Sequence, residues 1–496
     1  TVAPTRTDGG DPLFYHSTAN ILARGGGFPE PLNLIAHQRW IPSALHGPFY
    51  PLVLSISSRL GGTTYFDHKF LSLLIGTAVV VMTGLVAWRI APDGRRSTVS
   101  LLAAALAAVY PNLWIVDGVM FPEGLMALCC LGVVYAAYRW RAQPMVRWTV
   151  AMGAFTGLAA LTRGEGLLLA IVLIVPWTLS NRDLPTRERW RQLFAAGLAC
   201  LVVLAPWMIR NARSFDDFVP LSTNGNELFV YANCDETYSG KFLGFWLYDC
   251  QDQLRAEGLD ATGDEAAKSL HWRRLGLEYA KDHAGELPKV ITARVLRQWE
   301  FFRPWQNADF APIEGRNKTA ARAGLFMYYA LVVASVVGAL ALRRRKVPLL
   351  PLLSLVIGVT LTAAYAYGTT RFRVPAEPVL CILGAVGLLP IIDRARRRWA
   401  IADDDREASS SDDPFVLGGP LRWRAAFHRS SSASWLALAS VAASIGVALP
   451  SLYRATGSTM EEGFMLVFPE RVIKGAIANV DFLHLYGPGS LHALSI

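Results

Sequence analysis

Charged residues are scarce in this sequence. Asp, Glu, Lys and Arg make up 18% of the 496 residues, whereas hydrophobic residues make up 52% and the mean hydropathy is +0.30. This composition excludes an ordinary soluble globular protein. The formal net charge is +9, but the cations lie between apolar segments. Membrane topology therefore explains them better than a nucleic-acid partner does.

Several patterns of catalytic chemistry are also missing. No Gly-rich nucleotide loop follows a strand, and no Ser-His-Asp order is recognisable. The spacing of His16, His37, His46 and His68 does not indicate a metal site. We therefore assign no metal ligand.

Long apolar segments alternate with short basic loops. Candidate membrane spans are residues 70–88, 99–116, 124–138, 148–161, 167–179, 193–209, 324–342, 349–367, 379–392 and 435–452. Excess Arg and Lys lies in the loops 89–96, 139–147, 182–191, 343–346 and 394–398. The positive-inside rule places these loops in the cytoplasm, which predicts an all-α, multi-pass protein of the cytoplasmic membrane with its ionisable chemistry on the outer face.

This topology divides the chain into six regions. Residues 1–67 are an outer loop with interfacial helices and an acidic motif, 68–210 are transmembrane helices, 211–322 a large outer loop with soluble helices, 323–393 the last transmembrane helices of a first module, 394–434 a disordered cytoplasmic linker, and 435–496 the first span and outer loop of a truncated second module. Residues 461–465 resemble 11–15, which suggests the repeat, with Glu461 in place of Asp11. The sequence opens inside a polar segment, and we expect a piece upstream of Thr1.

The cysteines fall into two groups. Cys129, Cys130, Cys200 and Cys381 lie in apolar spans and are predicted to be small buried hydrophobic residues. Cys234 and Cys250 lie in the large outer loop, where a disulfide suits an oxidising compartment, although two free thiols remain possible.

Two carboxylates on the outer face are candidates for proton transfer. Asp11 precedes Pro12 and is predicted to cap a helix that stops at Gly25, and Glu123 begins a span. Both positions also have a purely structural explanation, as a cap and as a charge at a helix N-terminus. Asp117 is interpreted as an interfacial polar residue. Asp11 and Glu123 together are suited to the deprotonation of an alcohol.

Basic residues on the outer face are exceptions to the positive-inside rule, so each requires a negatively charged partner nearby. For Arg163 the two explanations are an ion pair with Glu165 and contact with an anionic group such as a phosphate. Arg371 and Arg373 have no carboxylate nearer in sequence than Glu377, which favours a phosphate partner. Further candidates for phosphate contact are Arg210 and Lys241.

These residues occur in an ordered set. It consists of Asp11 with Tyr15, Gly47 to Pro51, Pro111, Pro122-Glu123, Leu161-Thr162-Arg163, Pro206-Trp207 with Arg210-Asn211, and Arg371 to Pro375. The set resembles the bacterial GT-C glycosyltransferases of the protein O-mannosyltransferase and Rgt-like group (family 39-like), over roughly residues 9–392.

The resemblance implies a GT-C-type transmembrane helix bundle that uses a polyprenyl-phosphate sugar outside the cytoplasmic membrane. The acceptor would be a glycan, lipid or protein of the cell envelope. By the same resemblance, Asp11 matches the proposed general base and Glu123 matches the second acidic position. Tyr15 belongs to the motif that begins at Asp11. The resemblance does not decide whether a divalent cation takes part.

Two other functions remain open. A transporter or flippase for lipid-linked saccharides would also need many spans and outer cations, but should carry ionisable residues near the bilayer midplane. A non-catalytic scaffold that binds lipid phosphate is the third interpretation.

Overall fold

The structure is a computed structural model that describes residues 10–403, together with the isolated residues 439, 442, 443 and 446. Within these residues the chain is helical and forms no strand, with a single β-bridge between Pro29 and Pro42. The predicted all-α fold is confirmed. The predicted span 435–452 and the second module lie outside the described residues, apart from those isolated positions.

The helices follow one another with short connections. They are α1 Asp11–Ala23, α2 Pro31–His37, α3 Phe49–Arg59, α4 Tyr65–Ile90, α5 Arg96–Val109, α6 Pro111–Trp114, α7 Glu123–Ala142, α8 Val146–Thr162, α9 Val175–Leu179, α10 Thr186–Ser214, α11 Asn224–Ala232, α12 Asp235–Tyr238, α13 Asp249–Ala256, α14 Glu265–Asp282, α15 Leu287–Gln298, α16 Pro304–Phe310, α17 Lys318–Arg344, α18 Leu350–Tyr365 and α19 Glu377–Asp403. Short 3₁₀ helices lie at Gly164–Leu167, Gly240–Phe242, Ala311–Glu314 and Thr370–Ala376, and a π-helix at Ala170–Ile174.

Four helical segments of the described chain are long and apolar enough to cross a membrane: Tyr65–Ile90, Thr186–Ser214, Lys318–Arg344 and Thr370–Arg394. Helix α7 is largely enclosed, packed against α4, α8 and the 3₁₀ helix Thr370–Ala376. Its apolar side chains form the centre of the largest hydrophobic cluster. The bundle is therefore built around α7.

Some predicted spans differ from the helices observed. The span predicted at 99–116 is not one helix, because α5 ends at Val109 and Pro111, which has no N–H to donate, starts the short α6. The span predicted at 167–179 is a 3₁₀, π and α succession. Helix α19 continues to Asp403, so the linker boundary at residue 394 was placed too early.

Helices α17 and α19 meet at glycines. A Cβ atom on Gly338 would lie 1.9 Å from the Leu383 carbonyl oxygen, and one on Gly387 would lie 2.0 Å from that of Ala334. Side chains at these positions would force the two backbones apart. This close approach of helices through small residues is typical of membrane bundles.

The first helix begins differently from the prediction. Its N-cap is Gly10, with no side-chain cap, while Asp11 is the first helical residue and Pro12 the second. The predicted capping role of Asp11 is therefore wrong, and its carboxylate is available to other partners. The helix ends before Gly25, whose φ of 80° a side chain would disfavour.

Residues 211–322 fold into short helices at the end of the bundle that also carries the N-termini of α7 and α17. We call this end the site end. Here Cys234 and Cys250 form the predicted disulfide, which closes a segment with a sequence separation of 16. The four other cysteines are free, and three of them are buried.

Candidate active site

Four charged side chains from distant parts of the chain meet at the site end. Asp11 begins α1, Glu123 begins α7, Arg163 follows the last residue of α8, and Arg371 lies in the 3₁₀ helix before α19. Each group lies at or near the end of a helical element. The network they form is called the ion cluster below, together with Glu165.

Arg371 connects the two carboxylates. Its Nη2 atom donates to Asp11 Oδ2 at 2.7 Å, and its Nε atom donates to Glu123 Oε1 at 2.5 Å. Arg163 donates from Nη1 to the same Glu123 oxygen at 2.7 Å and from Nε to Glu165 Oε1 at 2.5 Å. Glu123 therefore holds both arginines. Among the described residues its second oxygen, Oε2, is buried without a hydrogen-bond partner.

Aromatic rings enclose the two arginines. The Arg371 guanidinium lies 3.7 Å from the centroid of Phe121, and that of Arg163 lies 4.6 Å from the centroid of Phe372. Arg side chains are weakly hydrated and stack well on such rings. The cluster is thus held in a partly desolvated environment, where its electrostatic interactions are stronger than in water.

Two further side chains border Asp11. His46 Nε2 lies 3.5 Å from Asp11 Oδ1, and the His46 ring packs 4.9 Å from the ring of Tyr15. Burial lowers the pKa of His46 to about 4, so that the ring is neutral at pH 7. Burial raises the pKa of Tyr15 well above its usual value, so that its phenol stays protonated. Sequence reasoning missed His46, because it considered histidines only as metal ligands.

The pKa of Asp11 reflects two opposed effects. Burial alone would raise it, but the positive charge of Arg371, assisted by His46 and by the Arg371 hydrogen bond, lowers it from 3.8 to about 2. Asp11 is consequently ionised at every physiological pH. While paired with Arg371 it is a weak proton acceptor.

The predicted partners of the arginines need correction. The argument that Arg371 lacks a nearby carboxylate is wrong, because Asp11 and Glu123 reach it from distant parts of the chain. The alternative weighed for Arg163, a pair with Glu165, is present, but Glu123 is a second partner.

Arg373 lies outside the ion cluster. Its side chain is 0% exposed, pairs with Glu377 at 2.6 Å and Glu300 at 3.0 Å, and donates to the carbonyl of Gln298. The expectation that it had only Glu377 within reach is wrong. These contacts give Arg373 a structural role in the core.

Arg210 and Lys241 also lack contacts with the cluster. Arg210 donates to the carbonyl oxygens of Ser43 and Phe28, and so ties α10 to the segment before α3. Lys241 is exposed, with its Nζ 5.3 Å from the centroid of Phe242. The structure gives neither residue a link to Asp11 or Arg371.

Asp117 is not the interfacial residue that the sequence suggested. It is only 4% exposed and lines a small cavity with Trp114, Gly76 and Gly124. A Cβ atom on Gly76 would lie 1.9 Å from an Asp117 oxygen, so this glycine makes room for the carboxylate.

The ion cluster does not suit a metal ion. In residues 10–403, no group of three or more His, Cys, Asp or Glu side chains is arranged to hold one. The Arg371 guanidinium lies between the carboxylates of Asp11 and Glu123, where a cation would have to bind. We therefore derive no chemistry through a metal.

Comparison with known proteins agrees with this architecture. Residues 45–209 match the family model described as dolichyl-phosphate-mannose-protein mannosyltransferase. The fold is similar to the oligosaccharyltransferase AglB of Archaeoglobus fulgidus, in complex with an inhibitory peptide and a dolichol-phosphate, with a TM-score of 0.51 and 16% identity. That match covers 93% of this chain and 54% of AglB, so the chain spans about half the length of that relative.

A second similar structure is ArnT of Cupriavidus metallidurans bound to undecaprenyl phosphate. It is 16% identical, with a TM-score of 0.35, and the match covers 80% of this chain and 76% of ArnT. The expected resemblance is confirmed: this chain has the fold of the GT-C membrane glycosyltransferases, and over residues 45–209 it is similar to the dolichyl-phosphate-mannose-protein mannosyltransferases.

Proposed function

We propose that this protein transfers a sugar from a polyprenyl-phosphate donor to a hydroxyl group of a cell-envelope acceptor. One observation carries the proposal: Asp11, Glu123, Arg163 and Arg371, from four distant positions in the sequence, form one hydrogen-bonded cluster at the ends of apolar helices. Such a cluster offers both a carboxylate for proton transfer and guanidinium groups for a phosphate. The similarity to mannosyltransferases supports the same chemistry.

The donor phosphate would bind Arg371 in place of Asp11. Of the two carboxylates on this arginine, the Asp11 side chain is 27% exposed and the Glu123 side chain 1% exposed. Asp11 is therefore the partner that can leave without stranding a fully buried charge. Glu123 would keep Arg371 and Arg163 in position while the phosphate takes the vacated donor.

Transfer then needs one proton acceptor and one stabilised leaving group. The acceptor oxygen attacks the anomeric carbon and loses its proton to Asp11, while the bond from that carbon to the phosphate oxygen breaks. Polyprenyl phosphate departs with the bonding electrons, and Arg371 stabilises the charge that develops on it. Attack from the face opposite the phosphate would invert the anomeric centre.

Release from Arg371 would also activate the base. Once a phosphate neutralises that cation, burial remains as the largest influence on Asp11 and raises its pKa above the resting value. The neutral His46 beside it would keep the carboxylate oriented. Donor binding would thereby convert a weak base into a stronger one.

We place the site on the outer face of the cytoplasmic membrane. Basic loops at the opposite end, including Arg139 and Arg141 in the last turn of α7, support this orientation. The Cys234–Cys250 disulfide at the site end supports an oxidising compartment. The acceptor would be a glycan, lipid or protein.

The test is sugar transfer by the purified full-length protein from an undecaprenyl-phosphate mannose donor, followed as release of undecaprenyl phosphate. We expect Asp11→Asn to lower turnover by roughly 10²- to 10⁴-fold, the usual contribution of a general base, with thermal unfolding preserved. Turnover within tenfold of wild type would remove Asp11 from this role.

A flippase remains the alternative function. Movement of the donor across liposomes without release of undecaprenyl phosphate would favour it. The position of the ion cluster at helix ends supports the transferase, because transporters bind their substrates near the midplane.

A further inference from the structure

Three arginines from three helices lie around one pair of aromatic rings, at the end of the bundle opposite the site end. The guanidinium groups of Arg139 and Arg147 lie 4.7 Å and 5.2 Å from the ring centroid of Trp148. Arg89 lies 5.4 Å from the centroid of Tyr135 and donates to its hydroxyl at 3.0 Å. The two rings pack with their centroids 6.5 Å apart. We call these three arginines the arginine cluster.

The arginine cluster has no carboxylate partner among the residues that the structure describes. Other arginines at the same end do have one: Arg95 pairs with Asp393 at 2.9 Å, and Arg191 pairs with Glu188 at 2.8 Å. Like charges held close to one another repel, and an anion placed between them removes that repulsion. The arrangement therefore fits a negatively charged ligand.

The helix ends account for two of the three cations but not for the third. Arg89 lies in the last turn of α4 and Arg139 in the last turn of α7, where the helix dipole stabilises a positive charge. Arg147 lies in the first turn of α8, which has no side-chain cap. A helix N-terminus disfavours a cation and attracts an anion. An anion bound there would stabilise both Arg147 and the start of α8.

Helix α7 exposes a narrow stripe that leads to the arginine cluster. Within this helix, only Leu128, Tyr135, Arg139 and the two C-terminal residues are not buried. Spacings of seven and four residues place the three on one face of the helix. The ring of Phe155 on α8 borders this face, since a Cβ atom on Gly132 would lie 2.9 Å from it, and Phe155 is 38% exposed. An apolar surface that ends at cations matches an acyl chain with an anionic headgroup.

The arginine cluster is separate from the ion cluster. Glu123 and Arg139 lie near the two ends of α7, roughly 25 Å apart at 1.5 Å per residue. That distance is close to the thickness of the hydrocarbon core of a bilayer. In the orientation proposed above, the arginine cluster therefore faces the cytoplasmic leaflet, which contains anionic phospholipids.

We propose that the arginine cluster binds the phosphodiester headgroup of an anionic glycerophospholipid, with an acyl chain along the exposed stripe of α7. Guanidinium groups suit a phosphate because their N–H donors form a planar fork. A zwitterionic lipid would bring its own cation to the cluster, and a soluble phosphate would leave the apolar stripe uncovered. The inference concerns a contact with the membrane and goes beyond the proposed transferase function.

The experiment is equilibrium binding to the purified full-length protein in a neutral detergent, measured by native mass spectrometry. The probes are phosphatidylglycerol, phosphatidylcholine with the same acyl chains, and glycerol 3-phosphate as an anion without chains. Arg139→Gln and Arg147→Gln each remove one cation, and Arg147 is exposed, so its replacement leaves the core intact. Arg343→Gln is the matched control, since Arg343 is an exposed arginine in the last turn of α17 and lies outside the cluster.

We expect Arg139→Gln and Arg147→Gln each to weaken binding of phosphatidylglycerol by about fivefold, the usual contribution of one basic residue near anionic lipid. The double variant should weaken it by about 25-fold if the two effects add. Binding of phosphatidylcholine should be the same in all variants. Arg343→Gln should bind every probe like wild type.

Wild-type protein that binds phosphatidylglycerol no more tightly than phosphatidylcholine would overturn the proposal. Equal losses in Arg147→Gln and Arg343→Gln would do the same, because they would show a general effect of charge. Glycerol 3-phosphate bound as tightly as phosphatidylglycerol would replace the lipid by a soluble anion. A wild-type protein that releases no undecaprenyl phosphate would refute the transferase function and leave these binding results unaffected.

Discussion

Displacement of Asp11 from Arg371 by the donor phosphate predicts an unusual pH dependence. In the free protein the pKa of Asp11 is about 2, against an ordinary value of 3.8. In the donor complex the phosphate neutralises Arg371, so that burial, the largest remaining influence, raises the pKa of Asp11 above its value in the free protein.

Each steady-state constant reports one of these states. A general base must be deprotonated, so activity falls as the pH drops through its pKa. The value of kcat/KM follows the free protein and kcat follows the donor complex. We expect kcat to begin its decline at a higher pH than kcat/KM does, while kcat/KM stays level down to the lowest pH at which the protein remains folded. KM should fall together with kcat.

The assay is release of undecaprenyl phosphate from a donor series between pH 8 and pH 3.5, at saturating and at limiting donor. Asp282→Asn, which alters an exposed carboxylate on α14, is the control and should reproduce the wild-type profiles. If kcat and kcat/KM decline together over the same pH range, Asp11 keeps its arginine during the reaction. In that case the reasoning fails.

Three further predictions concern the scaffold, each measured by thermal unfolding in detergent. Arg373→Gln should destabilise the fold by about 3–5 kcal/mol, because it leaves buried carboxylates without their cation, and donor binding by the remaining folded protein should be unchanged; selective loss of donor binding would restore the phosphate role. Cys250→Ser should lower the free energy of unfolding by about 3 kcal/mol, because it opens the loop that the disulfide with Cys234 closes at a sequence separation of 16. A wild-type unfolding temperature that does not change with reducing agent would contradict this prediction. Gly338→Ala should cost about 1–3 kcal/mol through overpacking, whereas Gly358→Ala, with nothing within 4 Å of the added Cβ, should be neutral; equal effects would argue against the close contact of α17 and α19.

Much of the fold follows from features that are local in sequence. Apolar runs separated by basic loops predict the helices of the bundle, and glycines after residue 24 predict the end of α1. The pairing of Cys234 with Cys250 also follows from their place in a polar segment. Local patterns do not show whether a helix is continuous: α5 ends at Val109 and Tyr110 separates it from Pro111, although the sequence stays apolar.

The site was predictable in its members but not in its connections. Asp11 and Arg371 are charged residues where a membrane protein should have few, which is a signal visible in the sequence. Their pairing across 360 positions is a property of the tertiary fold. For the same reason, Arg371 and Arg373, two residues apart and alike in sequence, have different environments.

The 3₁₀ helix that carries Arg371 has a consequence for how the protein moves. Through Arg373, two residues further on, it is anchored to carboxylates in the interior, and it leads directly into α19. The arginine that would receive the donor is therefore part of the rigid frame. Asp11 begins a helix that is preceded by a glycine N-cap and has no side-chain cap. If the site opens during turnover, we expect the N-terminal end of α1 to move outward while the 3₁₀ helix and α19 keep their positions.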